Sequence, residues 1–375
     1  MKKRRRKLNV KKVLTHLIIP MLVILIVIVM LFNLFFPKMK SLGYSKEFIK
    51  AADNMGINTS FVTKYSSCLE DVVISNNYKS KNVETYVNIQ IENDVNCSKS
   101  VNDLIKEGYK TDEITNIYSK LTEEKALELS KTDYISDINS YFKADYFISD
   151  NLIRYAKYKN SKDIDLDTAI TLVNIGIDKE FYTNINKIKN PSNLLVLVNK
   201  YNQLPNDYVP SDLVTIPSTC AYADKQVKSE VLEKVMSLCK EINNMGSKFV
   251  VYSAYRSYET QERLYNSYVR EDGVIEADIY SARAGHSEHQ LGTTLDVSLD
   301  GKASSNIVES TSYDWLKNNA HKYGFIVRYK ENEEHITGYK HEPWHLRYVG
   351  VAVATEIYEK QITLDEYYVK YVQNK

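Results

Sequence analysis

The spacing of hydrophobic positions changes along this chain, and each change marks a different kind of element. From Leu17 to Phe36 almost every position is apolar, with Pro20 and Asn33 the exceptions, and Val13 to Pro37 carries no charge. About twenty such residues in a helix span roughly 30 Å, the thickness of a bilayer's hydrocarbon layer. No face of the segment is polar, which disfavours a buried core helix. No small-residue cleavage site follows Phe36, which disfavours a cleaved signal peptide. The reading is a single transmembrane helix over 13–37. After it, apolar residues recur at helical spacing and are punctuated by glycine. "GYSKEFI" at Gly43, "GYKTDEI" at Gly108 and "GIDKEFY" at Gly176 form a weak repeat, echoed by "NVETY" from Asn82 and "NLIRY" from Asn151. Glycine can end one helix in the left-handed conformation, and Ser45, Thr111 or Asp178 can cap the next. Residues 38–189 therefore read as a mostly helical region, with one strand expected at Val83–Ile91.

From Asn190 the texture changes again. Pro191, Pro205, Pro210 and Pro217 punctuate a loop-rich entry. Val227, Val231, Val235, Leu238 and Ile242 then share one helical face, predicting a helix over 225–243. "KFVVYSAY" at 248–255 reads as a strand and 258–270 as a helix. In "TTLDVSL", Leu295, Val297 and Leu299 alternate with Asp296 and Ser298, which predicts a strand with one polar face. Residues 312–323 and 350–360 read as helices, with "FIVRY" and "EPWHLRYV" as strands. Strands joined by helices and long loops make residues 190–375 an α+β domain.

Charge adds an orientation. The formal net charge is +1, but the first twelve residues hold eight Lys or Arg and no acid, leaving about −7 for the rest. A basic block alone would suit nucleic acid; directly before an apolar span it places residues 1–12 in the cytoplasm and the remainder outside the cell. That compartment permits disulfides for the four cysteines. Cys68 and Cys97 can pair. Cys239 would lie about 14 helical residues, roughly 21 Å, from its helix start, so Cys220 and Cys239 are expected as buried free thiols.

Chemistry concentrates in one stretch. Six of the seven histidines lie between His286 and His345, and "GHSEHQLGTTLDVSL" spans 285–299. His289 and Asp296 flank Gly292, so a loop entering a strand can bring them together, with His345 as third ligand. Two imidazoles, one carboxylate and an open fourth position match a catalytic zinc site. His286 is a rival ligand. "HEPWH", His341 to His345, matches a helical zinc-protease motif in letters, but Pro343 at its centre forbids the helix that motif needs. That leaves Glu342 as a base beside the metal and His341 without a role.

"SEHQLGTTLD" and "EPWH", with "SAYRSYETQERLY" at 253–265, resemble the VanY-type D-alanyl-D-alanine carboxypeptidases, zinc peptidases related to lysostaphin-like enzymes and hedgehog. The resemblance covers about residues 190–358. It implies a small antiparallel sheet flanked by helices, and one Zn2+ per chain on His289, Asp296 and His345. It also implies Glu342 as catalytic base, Arg256 as the arginine that binds substrate and transition state, and Gln261 and Ser287 beside the substrate's terminal carboxylate. Thr294 stands where the family often has a small residue, which bears on pocket shape. The expected function is removal of the terminal D-Ala from peptidoglycan stem peptides by a membrane-anchored bacterial enzyme, with no nucleic-acid partner. The alternatives are an L,D-carboxypeptidase acting on the tetrapeptide, or a non-catalytic wall-binding protein on a peptidase fold. The sequence leaves oligomeric state open.

Overall fold

The computed structural model of the chain describes residues 18–91 and 95–373, leaving aside the side chains of Val29 and residues 31–37. The chain divides into two compact units, Met1–Lys143 and Ala144–Lys375.

The first unit opens with a helix over Ile19–Ser41, with Pro20 in its first turn where no backbone donor is needed. Ile18, Ile19, Met21 to Ile28 and Met30 are all exposed. Among the described residues, no helix is long and apolar enough to cross a membrane; part of the expected span over 13–37 lies outside them. Short helices follow, and their apolar faces bury Phe48, Leu69, Leu104, Ile117 and Tyr118. A disulfide joins Cys68 to Cys97.

The strand expected at Val83–Ile91 is instead a helix over Val83–Asn88. Its Tyr86 and Val87 are buried side by side, a packing that overrides the β-preference of valine and tyrosine.

The repeat has a hydrogen-bonded counterpart. Gly43, Gly108 and Gly176 all take left-handed φ values, +103°, +102° and +108°. The tyrosine after each of the first two accepts a distant backbone N–H: Tyr44 from Ser66 and Tyr109 from Ile135, both at 3.0 Å. In the echo, Asn82 and Tyr86 both donate to Asn102, whose amide donates to the Asn77 carbonyl. Asn151 and Tyr155 likewise donate to Asn174, which donates to the Tyr146 carbonyl. Ser45 caps its helix through Phe48 N–H. Thr111 lies just inside its helix, where Glu113 accepts the Lys110 N–H instead. Asp178 caps nothing and pairs with Arg154 at 2.6 Å.

The second unit holds a four-stranded sheet. Its strands are β1 (Phe249–Ser253), β2 (Thr294–Leu299), β3 (Phe325–Tyr329) and β4 (Glu342–Tyr348), in the order β1-β2-β4-β3. All pairings are antiparallel. Helix α1 (Ser229–Asn244) packs Val231, Val235, Leu238 and Ile242 against Phe249, Val251, Leu295, Val297 and Leu299. This is the apolar face the alternation requires. Further helices of the unit include α2 (Tyr258–Tyr280, broken by a kink at Gly273 with φ +82°), α3 (Tyr313–Asn319), α4 (Val351–Lys360) and α5 (Leu364–Tyr371).

Cys220 and Cys239 are disulfide-bonded, with Cα atoms 6.0 Å apart, against the expectation of free thiols. The helix starts at Ser229, four residues later than its apolar periodicity suggests. Cys239 therefore lies about 15 Å along it, within reach of the chain returning from Cys220 through the strand at Gln226–Lys228.

Candidate metal centre

Antiparallel pairing builds the site. Asp296 on β2 and His345 on β4 are direct cross-strand partners, so their side chains share one face of the sheet. Two irregularities bring in more groups. Pairing shifts by one residue between Val251 and Ser253, setting Ser253 opposite Asp296. It shifts by two between Val327 and Tyr329, where Tyr329 faces Glu342. Glu342 and His345, three apart in a strand, would otherwise point to opposite faces. His289 arrives on a short 3-10 turn, Glu288–Leu291, which ends at Gly292 with φ +69°. A Cβ at Gly292 would sit 3.0 Å from Leu213 and 3.4 Å from the Lys228 nitrogen, so glycine alone makes this turn into β2 without strain.

The result is a buried cluster of His289, Asp296 and His345 whose potential ligand atoms all lie within 4.8 Å of one another. His289 Nδ1 donates to the Ala254 carbonyl at 2.6 Å. That bond fixes the proton on Nδ1 and turns the Nε2 lone pair toward Asp296 Oδ2, 3.2 Å away. His345 Nδ1 lies 3.4 Å from Asp296 Oδ1 and 3.2 Å from Glu342 Oε2. Asp296 Oδ1 is buried with no hydrogen-bond partner. A buried carboxylate oxygen without a donor is costly; with Oδ1 beside His345 Nδ1 and Oδ2 beside His289 Nε2, the carboxylate suits a cation as its missing partner. These residues fit zinc.

The electrostatics of Asp296 and His289 agree with that fit. At His345, by contrast, burial lowers the pKa but hydrogen bonds to Asp296, Glu288 and Glu342 outweigh it and raise it well above the usual value. Burial pushes Asp296 up, but His289 and His345 outweigh it and hold its carboxyl well below the usual range. Burial raises Glu342, opposed in part by His345. Burial lowers His289, favouring the neutral ring a metal needs.

The remaining expected residues fall around one cleft of about 560 Å³ lined by Arg256, Gln261, Ser287, His341, Glu342 and the three candidate ligands. Arg256 donates to Gln261 Oε1 at 2.7 Å and to Ser253 Oγ at 2.9 Å, with Asp296 Oδ2 3.6 Å away. Gln261 in turn donates to the Ala282 carbonyl at 2.6 Å. Ser287 caps the 3-10 turn by accepting from His289 N–H. The rival ligand His286 stands outside the cluster: Nδ1 bonds the Asn199 carbonyl at 2.8 Å and Tyr182 meets its ring edge-on. Burial pushes its pKa down to about 4. His341 lines the cleft half-buried and is not part of the cluster.

A family model for VanY, D-alanyl-D-alanine carboxypeptidase, matches residues 224–351. The chain is 36% identical over 207 residues to YodJ of Bacillus subtilis (strain 168), covering 52% of this chain and 76% of that one. It is 32% identical over 185 residues to the bifunctional D-Ala-D-Ala dipeptidase and D-Ala-D-Ala carboxypeptidase VanXYC of Enterococcus gallinarum, covering 47% and 94% respectively. The chain belongs to the VanY D-alanyl-D-alanine carboxypeptidase family. A solved structure of a mutant of the vancomycin-resistance D,D-pentapeptidase VanY in complex with Zn(II) is 33% identical, covers 46% of this chain and 98% of that one, and gives a TM-score of 0.41.

The second unit also holds buried charge that sequence reading missed. Arg328 and Arg347 are fully buried, as are Glu288 and Asp365. Lys200 is buried against the rings of Phe181, Tyr182 and Tyr339, and burial lowers its pKa to about 7. One signal was available for Arg328. In "FIVRY" every neighbour is apolar or aromatic, and an arginine inside such a strand must find a buried acid.

Proposed function

We propose that this VanY-family chain is a membrane-anchored zinc carboxypeptidase that removes the C-terminal D-Ala from peptidoglycan stem peptides outside the cell. One observation carries the reading: the Asp296 carboxylate, its Oδ1 without a hydrogen-bond partner, lies between the His289 and His345 rings, with Glu342 and Arg256 in the same cleft.

His289, Asp296 and His345 would hold one zinc ion. When bound, zinc supplies Lewis acidity, making water easier to deprotonate and the scissile carbonyl more electrophilic. Glu342 accepts the proton of the attacking water and returns it to the leaving amine. Its raised pKa keeps that proton within reach. Arg256, preset by Gln261 and Ser253, offers guanidinium N–H donors to the substrate's terminal carboxylate. Ser287 adds a hydroxyl at the same cleft. With the carboxylate held there, the last peptide bond would lie beside His289, Asp296 and His345, so that trimming would proceed from the free end.

The anchor rests on the composition of residues 13–37 and the basic block before them. Removing residues 1–37 should release the protein from membranes with its activity intact. The function is tested by mass spectrometry of synthetic pentapeptide and tetrapeptide stems after incubation with the zinc-loaded chain. Loss of one D-Ala from the pentapeptide is the expected result. Trimming of the tetrapeptide alone would make it an L,D-enzyme, and cleavage of neither would leave a non-catalytic protein.

A further inference from the structure

We propose that Glu288 is a positioning residue for the ligand His345, and that Glu288 is itself set from the last helix, α5, through Arg328 and Asp365. The proposal rests on reading His345 as a metal ligand.

The two edges of the His345 ring face different surroundings. Nδ1 faces Asp296 and Glu342, where the metal would sit. Nε2 faces Glu288 Oε2 at 3.4 Å, on the opposite edge. A neutral imidazole carries one proton. An ionised carboxylate can only accept, so Glu288 keeps that proton on Nε2 and leaves the Nδ1 lone pair for the metal.

Glu288 does not set itself. Its Oε1 accepts from Arg328 Nε at 2.8 Å and lies 3.2 Å from Arg347 Nη1. Arg328 Nη1 donates to Asp365 Oδ2 at 2.6 Å. Asp365 Oδ1 accepts from Asn199 at 3.1 Å. Arg347 reaches the Leu194 and Val196 carbonyls at 2.9 and 3.2 Å. The side chains of Glu288, Arg328, Arg347 and Asp365 are all 0% exposed or belong to residues of 0% exposure.

Two guanidinium groups balance two carboxylates. The network therefore adds no net charge to the metal site. Such a group is a weak source of stability, since well-packed apolar side chains commonly do as well. Its geometry is specific: Glu288 Oε1 meets both guanidinium groups while Oε2 faces His345, and Arg328 bridges Glu288 to Asp365. Asp365 lies beyond the segment matched by the family model, which ends at 351. The orientation of a core metal ligand thus depends on a helix outside that segment.

The test uses the full chain and inorganic zinc, with affinity measured by chelator competition and geometry by the visible spectrum of the cobalt(II)-substituted protein. Glu288→Gln keeps an oxygen for Arg328 but can present an amide N–H to His345, favouring the proton on Nδ1. It should weaken zinc binding about 10- to 100-fold and shift the cobalt spectrum. Asp365→Asn should move both readouts the same way by less. Zinc affinity within about twofold of the parent and an unchanged spectrum in Glu288→Gln would overturn the proposal. If that variant does not fold, Asp365→Asn decides by the same criterion. His345→Ala separates the two levels: loss of zinc there, beside parental affinity in Glu288→Gln, removes the positioning role alone. Parental affinity in His345→Ala removes the ligand and the positioning role together.

Discussion

The two units of this chain bury polar groups in different ways. In Met1–Lys143 the buried polar side chains are mostly neutral: Ser66, Asn82, Ser98, Ser100 and Ser130, with Glu113 the charged one among the described residues. They bond backbone groups or one another, as Asn102 does for Asn82, Tyr86 and the Asn77 carbonyl. These bonds join positions 16 to 25 residues apart, and a similar set recurs in the second unit at Asn151, Tyr155 and Asn174. Ala144–Lys375 buries neutral groups too, Asn199, Ser298 and Thr363 among them, but adds Lys200, Asp278, Glu288, Asp296, Arg328, Glu342, Arg347 and Asp365. Ionised groups cost more to bury than amides and hydroxyls. Their concentration near the cleft is the mark of a site that needs charge held in place. The neutral bonds tie segments of chain together; the charge buried around the cleft makes a chemical environment.

The largest effect that would sharpen this contrast is catalytic. Glu342→Gln removes a proton acceptor but no ligand, so zinc should stay bound while kcat falls about 10²–10⁴-fold. Turnover near the parental rate would mean that another group activates the water. Next comes a stability difference. Arg328→Met strips Glu288 and Asp365 of a shared partner and should cost about 3–5 kcal/mol in denaturant unfolding. Asn102→Ala in the first unit leaves smaller, neutral groups unpaired and should cost about 1–3 kcal/mol. Equal costs would erase the distinction between the two kinds of burial.

Specificity for the free end follows. Breaking a buried charged pair costs about 2–5 kcal/mol, or at least about 30-fold in rate. A stem peptide with an amidated C-terminus should therefore be cut at least about 30-fold more slowly than the free acid, and Arg256→Ala should abolish most of that preference. Equal cleavage of acid and amide by the parent would make the protein an endopeptidase.

Much of the site is legible in the sequence because it is local or motif-bound. His289 and Asp296 are seven residues apart, and alternation in "TTLDVSL" already turns Asp296 away from the core. The strand at Glu342–Tyr348 follows from Pro343, which bars the helical reading of "HEPWH". The Glu288 network is not legible in the same way. Its partners lie 40, 57 and 59 positions along the chain, and a glutamate beside a histidine in a loop looks solvated. Two local misreadings have one origin. Helical periodicity gave no sign that α1 begins at Ser229, which hid the Cys220–Cys239 bond. Valine and tyrosine at 83–87 favoured a strand where packing made a helix. In both, the deciding contact came from residues distant in sequence.

The central claim is that His289, Asp296 and His345 hold a catalytic metal while the neighbouring "HEPWH" histidine does not. Metal analysis of the purified chain tests it directly, comparing the parent with His345→Ala and His341→Ala. The account predicts one zinc per parent chain, retention in His341→Ala and loss in His345→Ala. Loss of zinc from His341→Ala with retention in His345→Ala would contradict it.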